Sequence, residues 1–305
     1  MTILNFERVV KRFGTFVAVS DLSFDVPEGR IFGFLGGNGA GKTTSLRMAL
    51  DILRPTSGAI TILGHRPGRE HASQIGFLPE ERGLYRRMTV LDTIIFFARL
   101  KGLTSGDARK EAGRLIERLG LGDWTNALVE KLSKGMSQKV QVAAAIVNRP
   151  RLLILDEPFS GLDPVNQKVL EDIVLEMADA GSTVIFSTHV MQHAERLSHR
   201  ILLLSRGHKV FEGTQQEARA MLPGRLRLES RQSPAGLPGV DAVRPGQTDG
   251  DWTGWEVSLK PGVSSGDLLE VCTSQGFALR AFESQRPSLH DVFIHLVGAE
   301  RETAQ

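Results

Sequence analysis

Gly36-Gly37-Asn38-Gly39-Ala40-Gly41-Lys42-Thr43-Thr44 stands between the apolar run Ile31-Phe32-Gly33-Phe34-Leu35 and a helical pattern over 43–53. The spacing is G-x-x-x-x-G-K-[ST], and a strand before it and a helix after it are the context it requires. Glycines let consecutive backbone N–H groups turn inward around a phosphate, and the helix N-terminus adds the positive end of its dipole. Lys42 is placed to reach the β- and γ-phosphates of a nucleotide, and Thr43 to offer its hydroxyl to Mg²⁺. A plain turn explains the glycines but not Lys42-Thr43 at this position.

Outward from this loop, short β-rich runs alternate with helical patterns. Residues 3–10 and 17–24 read as strands, the second ending at Pro27-Glu28-Gly29, and Arg54-Pro55-Thr56-Ser57-Gly58 stops the helix. Residues 152–155 and 183–186 are continuous apolar runs bounded by turns, as buried parallel strands are. Between 89 and 147 the pattern is mostly helical. The whole predicts an α/β domain with a mainly parallel sheet. Composition shifts near Pro223-Gly224, and residues 222–262 hold five of the thirteen prolines. Strands are still expected at 252–259 and 277–282, and helices at 267–274 and 289–297. We therefore expect two domains, 1–220 and a small α+β domain over 221–305.

Lys and Arg number 37 against 35 Asp and Glu in 305 residues, a net charge of +2. That excludes a disordered polyelectrolyte and gives no electrostatic case for nucleic acid. Glycine, at 32 residues, exceeds its ordinary share of roughly 7%. The single cysteine, Cys272, forms no intrachain disulfide, which fits a reducing cytoplasm. The first residues carry no long apolar stretch and no small-residue cleavage site, so no secretory signal is expected. No apolar run approaches the roughly 18 residues of a spanning helix.

Three more motifs carry chemistry. The strand before Asp156-Glu157-Pro158 delivers Asp156 to the C-terminal edge of the sheet, where ligands bind in open α/β folds. Asp156 would hold Mg²⁺ through its water shell, and Glu157 would act as general base on the attacking water. In Leu132-Ser133-Lys134-Gly135-Met136-Ser137-Gln138, a Ser-x-Gly opening a helix presents N–H groups and a hydroxyl to an anion, although alone an ordinary N-cap is the simpler account. His189, in Ser187-Thr188-His189 after a strand, can hydrogen-bond a γ-phosphate. His189 and His193 are spaced i, i+4, but no H-E-x-x-H pattern surrounds them, so zinc is discounted.

In chain order, the phosphate loop, Glu80, the 132–138 signature, Asp156-Glu157, Ser160-Gly161-Leu162-Asp163 and His189 resemble the ATP-binding cassette (ABC) ATPases over residues 2–220. The resemblance implies a P-loop NTPase fold: a mainly parallel core sheet, an antiparallel β N-terminal part, a helical insertion at 89–147, and here a small C-terminal α+β domain. Phe13, in Lys11-Arg12-Phe13-Gly14, matches the family's adenine-stacking aromatic, and Gly161-Leu162-Asp163 matches its interface loop. Ser133 and Gly135 match residues that face the opposite subunit's γ-phosphate. Two departures stand out. Glu80 replaces a Gln that touches Mg²⁺ and the attacking water and couples to the transport partner; as a carboxylate it could still bind the metal or its waters. The usual Leu-Ser-Gly-Gly-Gln reads Leu132-Ser133-Lys134-Gly135-Met136, which adds a cation. The phrase Leu78-Pro79-Glu80-Glu81-Arg82-Gly83-Leu84-Tyr85, the Lys134-Gly135-Met136 signature and the short C-terminal domain resemble bacterial exporter subunits of the sodium-extruding and drug-efflux kind.

The resemblance thus implies ATP and Mg²⁺ as ligands. Phe13, residues 36–44, Ser133, Gly135 and Asp163 would bind the nucleotide, Thr43, Asp156 and Glu80 the metal, and Lys42, Glu157 and His189 would perform catalysis. It further implies a two-cassette dimer, expected to be a homodimer, and a separate membrane permease docked over 80–88 and the helical insertion. The protein would then be cytoplasmic and peripheral on the inner face of the cell membrane. A soluble ABC ATPase acting on DNA or ribosomes would typically show paired cassettes, long coiled-coil insertions or zinc cysteines. A P-loop small-molecule kinase would account for 36–43 but not for Ser133-Lys134-Gly135 or His189.

Overall fold

The computed structural model describes residues 1–81 and 83–303; Arg82, within the quoted 78–85 phrase and the 80–88 docking segment, lies outside them. The chain divides into two units, Met1–Thr214 and Gln215–Gln305, somewhat before the composition shift at Pro223.

The first unit runs β1 (Thr2–Phe13), β2 (Phe16–Pro27), β3 (Ile31–Leu35), α1 (Lys42–Ala49), β4 (Ser57–Ile62) and β5 (Ile75–Leu78). It continues with α2 (Val90–Leu100), α3 (Ser105–Arg118), α4 (Lys134–Ile146), β6 (Leu152–Asp156), α5 (Pro164–Asp179), β7 (Thr183–Thr188), α6 (Met191–Leu197), β8 (Arg200–Ser205) and β9 (His208–Gly213). One sheet is antiparallel, in the order β2-β1-β4. The other has the order β5-β6-β7-β3-β8-β9 and is parallel except for the β8–β9 pair.

Every residue of β3, β6 and β7 is buried, which is why these strands read as unbroken apolar runs. Four phenylalanines join the two sheets: Phe6 stacks on Phe24 at 4.6 Å, and Phe24 meets Phe34 edge-on at 5.2 Å and Phe32 at 6.1 Å. Such aromatic packing contributes beyond the area it buries. In the helical insertion, Thr89, Thr104 and Ser133 cap α2, α3 and α4 by accepting backbone N–H groups. Lys101, at the end of α2, donates to the carbonyls of Ala72 (2.7 Å) and Ile75, and burial lowers its pKa.

The helix expected over 43–53 ends at Ala49. Asp51 takes a left-handed conformation (φ 56°), and the N–H groups of Ile52 and Leu53 return to the Arg47 carbonyl. The segment read as a helix stop is followed at once by β4, whose inward Ile60 and Ile62 are its only strong signal.

The second unit holds α7 (Gln215–Arg219), β10 (Arg225–Ser230), β11 (Val240–Asp249), β12 (Trp252–Leu259), α8 (Ser265–Ser274), β13 (Leu279–Gln285) and α9 (Leu289–Thr303). Its sheet is antiparallel, in the order β11-β12-β10-β13. In β10, Leu226 and Leu228 face the core while Arg225 and Arg227 face out, the period of a half-buried strand. Their core partners are Val257, Leu259, Leu268 and Cys272. Ser264 and Asp267 form a reciprocal capping box on α8. Pro245 is accommodated because β11 is an edge strand. Among the described residues, no helix of either unit is long and apolar enough to cross a membrane.

At Gly76 of β5, α4 comes close to the parallel sheet: a Cβ there would lie 2.3 Å from the Ala145 carbonyl oxygen and 2.9 Å from Leu153 Cδ1. Gly76→Ala is expected to cost about 1–3 kcal/mol through forced overpacking, read as an earlier denaturation midpoint. An unchanged midpoint would show that α4 yields freely.

Candidate functional site

Strands β3, β6 and β7 are in register at their C-terminal ends: Leu35 pairs with Thr188, and Asp156 with Ser187. The glycine loop, Asp156-Glu157 and His189 therefore leave the sheet at one edge, the edge that binds ligands in open parallel sheets. The loop that follows β3 needs glycine where it turns. Gly36 (φ 151°) would place a Cβ 2.3 Å from the Leu204 carbonyl oxygen, and Gly41 (φ 99°) would place one 2.7 Å from that of Ala18. Gly41 is the N-cap of α1 and supplies no side-chain acceptor. The first-turn N–H groups of α1 are thus not capped by a side chain, as an anion site at a helix N-terminus requires.

Residues 38–44 line a cavity of about 360 Å³ together with Phe16, Ala18, Glu80 and Glu157. The Lys42 ammonium is buried there. It donates to the carbonyls of Gly36 (2.8 Å) and Gly37 (3.2 Å) and lies 3.2 Å from Glu157 Oε1. That ion pair is out of line for a hydrogen bond, so Glu157 Oε1 is buried without a hydrogen-bond partner. On the other oxygen, His189 Nδ1–H donates to Glu157 Oε2 at 2.9 Å. Glu157 itself has a left-handed backbone (φ 47°), a costly conformation for a side-chain-bearing residue. Ser187 steadies it: its hydroxyl accepts the Glu157 N–H at 2.9 Å and donates to Asp156 Oδ1 at 2.6 Å.

Thr43 Oγ1 donates to the same Asp156 oxygen at 3.1 Å. A hydroxyl beside a buried carboxylate is a hard oxygen pair of the kind Mg²⁺ takes alongside nucleotide phosphates and water. Among the described residues no cluster of three His, Cys, Asp or Glu is placed to hold a metal ion. Glu80 is exposed on the cavity wall.

Ser133, Gly135 and Asp163 do not line this cavity. Ser133 caps α4, accepting the Met136 N–H at 3.3 Å, and is exposed. The Lys134 ammonium lies against Gly161, and Gly135 faces Asn166. Asp163 caps α5 by accepting the Asn166 N–H at 3.0 Å, and this bond holds its carboxyl below the usual range. These residues form a second surface, tied to the first where Gln138 Nε2 donates to the Pro158 carbonyl. Phe13 is half-exposed at the β1–β2 hairpin with Lys11 Nζ 4.9 Å over its ring, whereas the aromatic on the cavity wall is Phe16. Sequence reasoning passed over Phe16, Ser187 and Gln138. Ser187 sits inside a quoted motif, but only its pairing with Asp156, distant in sequence, reveals its role.

Ser187→Ala removes the acceptor of a buried N–H and a donor to Asp156. The expected loss is about 1–3 kcal/mol of unfolding free energy by denaturant titration. A loss below about 0.5 kcal/mol would mean that neither bond matters.

The chain is similar to known proteins over most of its length. Residues 19–160 match the family described as ABC transporter, and residues 221–297 match the ATP-binding protein DrrA1-3-like, C-terminal domain. The uncharacterized ABC transporter ATP-binding protein YhaQ of Bacillus subtilis is 41% identical over 302 residues, covering 98% of this chain and 100% of its own. The daunorubicin/doxorubicin resistance ATP-binding protein DrrA of Streptomyces peucetius is 33% identical, covering 95% of this chain and 91% of its own. The solved structure of cbiO1 from Clostridium perfringens, part of the ABC transporter complex cbiONQ, superposes with a TM-score of 0.64 at 26% identity, covering 72% of this chain and 91% of its own. The chain belongs to the ATP-binding proteins of ABC transporters.

Proposed function

We propose that this chain hydrolyses MgATP as one half of a two-cassette homodimer and thereby drives a separate membrane permease, in the direction of export. The observation that carries the reading is the Lys42–Glu157–His189 chain of contacts at the mouth of the glycine cradle. The export direction draws on the resistance role in the name of DrrA. The permease draws on the complex named for cbiO1. We place the chain in the cytoplasm, peripheral on the inner face of the cell membrane, with the permease seated over 80–88 and α2–α4. The first unit would act as the cassette and the C-terminal unit as an accessory domain.

Lys42 exchanges the carbonyls of Gly36 and Gly37 for the β- and γ-phosphates, and the N–H groups of 38–44 bind the same oxygens. Thr43 and Asp156 would hold Mg²⁺, with Glu80 reaching it or its waters; the ion would neutralise phosphate charge. Glu157 Oε1, buried and lacking a hydrogen-bond partner, is placed to accept a proton from the attacking water. The water oxygen bonds to the γ-phosphorus as the bond to ADP breaks. His189 fixes the other carboxylate oxygen and presents its ring to the γ-phosphate. Phe13 of the hairpin, with Phe16 nearby, would pack on the adenine. Ser133, Gly135 and Asp163 lie outside the cradle, so a second copy would bring them to it. A small-molecule kinase would leave that second surface without a use.

Glu157→Gln should retain ATP binding, lose hydrolysis by roughly 10²–10⁴-fold in phosphate release, and give a longer-lived ATP-dependent dimer in light scattering. Wild-type turnover in that variant would remove Glu157 from the mechanism. Lys42→Ala should weaken ATP binding roughly ten- to 100-fold by calorimetry, because a buried charge-assisted contact is lost. Undiminished affinity would undo the phosphate-loop assignment.

A further inference from the structure

His193 lies four residues beyond His189, in α6, and is 4% exposed. Its ring stacks on Phe159 with centroids 4.2 Å apart and planes 17° apart. Phe159 is itself 4% exposed and meets Phe186 of β7 edge-on at 6.0 Å. At the edge of the ring, His193 Nδ1–H donates to Glu171 Oε1 of α5 at 3.3 Å, and Arg196 Nη1 lies 3.4 Å from the same oxygen. Glu171 is also 4% exposed. Burial lowers the His193 pKa despite this carboxylate, which keeps the ring a neutral donor.

Phe159 is two residues past Glu157, in the turn closed by the Ser160 N–H to the Glu157 carbonyl at 3.1 Å. Glu157 holds a strained backbone, and strain persists only where surroundings over-determine it. Ser187 restrains the turn on one side of Glu157. On the other side the restraint is Phe159, held between Phe186 and His193. The same α6 follows directly from His189, whose ring holds the Glu157 carboxylate. The stack therefore links both halves of the Glu157–His189 pair away from the nucleotide cavity.

We propose that His193 is a positioning residue: by stacking on Phe159 it holds the Glu157 turn against His189 in the geometry that ATP hydrolysis needs. This rests on the ATPase reading above. It assigns a use to a histidine that the i, i+4 spacing marks but that neither metal binding nor phosphate contact employs.

The test compares H193A/E171Q with H193F/E171Q in the full chain. Glu171→Gln spares both variants a buried carboxylate that has lost its histidine, and the two then differ only in the ring. The alanine variant should lose about ten-fold in kcat while its ATP affinity stays within about two-fold, because the cradle N–H groups and Lys42 sit on other elements. The phenylalanine variant should recover to within about three-fold of the wild type. Phe159→Leu, probing the stack from its other face, should lower kcat in the same way and decides the matter if the alanine variant does not fold. Wild-type kcat in the alanine variant or in Phe159→Leu overturns the proposal. So does a folded phenylalanine variant as slow as the alanine one, or a loss of ATP affinity that matches the loss of rate. A wild-type protein that hydrolyses no ATP removes the ATPase reading and this proposal together. Hydrolysis by the wild type with unaffected variants removes the positioning role alone.

Discussion

Parallel pairing of β6, β7 and β3 sets everything else in the first unit. Because the three strands stop in register, the glycine loop, two adjacent carboxylates and a histidine emerge within reach of one another from segments far apart in sequence. Each strand is buried on both faces, so a one-residue slip would turn every side chain into the opposite buried layer and displace its site residue by about 3.3 Å along the strand. The Phe6–Phe24–Phe32–Phe34 cluster seats the antiparallel sheet on this frame and keeps β2, with Ala18, against the loop.

The buried charged groups at this edge have partners within the protein. Lys42 is satisfied by two carbonyls and a carboxylate, and Asp156 by two hydroxyls. A buried lysine with no acceptors would be costly, and so would a buried Asp156 without donors. One oxygen of Glu157 is paired in charge with Lys42 but accepts no hydrogen bond, and the backbone beneath it is left-handed. Both features sit at the same residue.

Much of this was legible from residue order. The phosphate loop declares itself because its backbone demands glycine at fixed places and its chemistry demands Lys42-Thr43 directly after. The core strands declare themselves because burial on both faces leaves a continuous apolar run at their centres, with polar residues only towards their ends. Half-buried strands are harder to read. β4 is exposed over its first three residues, and β10 and β11 lie among prolines and arginines, so pattern alone marks them as turns. The ends of α1 and β13 moved by a few residues because local backbone bonds, not side-chain period, stop an element. Ser187, Phe16 and Phe159 were not legible as site residues. Each acts through a neighbour distant along the chain, and no spacing rule encodes such a pairing.

The edge strand β11 has a bearing on how the second unit meets other chains. Pro245 offers no N–H, and along the strand only Val240 is buried. A fibril-like extension of the sheet from this side would meet a missing donor and a polar, solvated surface. At the opposite edge, β13 carries Arg280 and Glu283, both exposed, which makes apolar strand-to-strand adhesion unfavourable there as well. Both edges of this sheet thus disfavour the addition of a further strand, a barrier that association through the faces or helices of the unit does not meet.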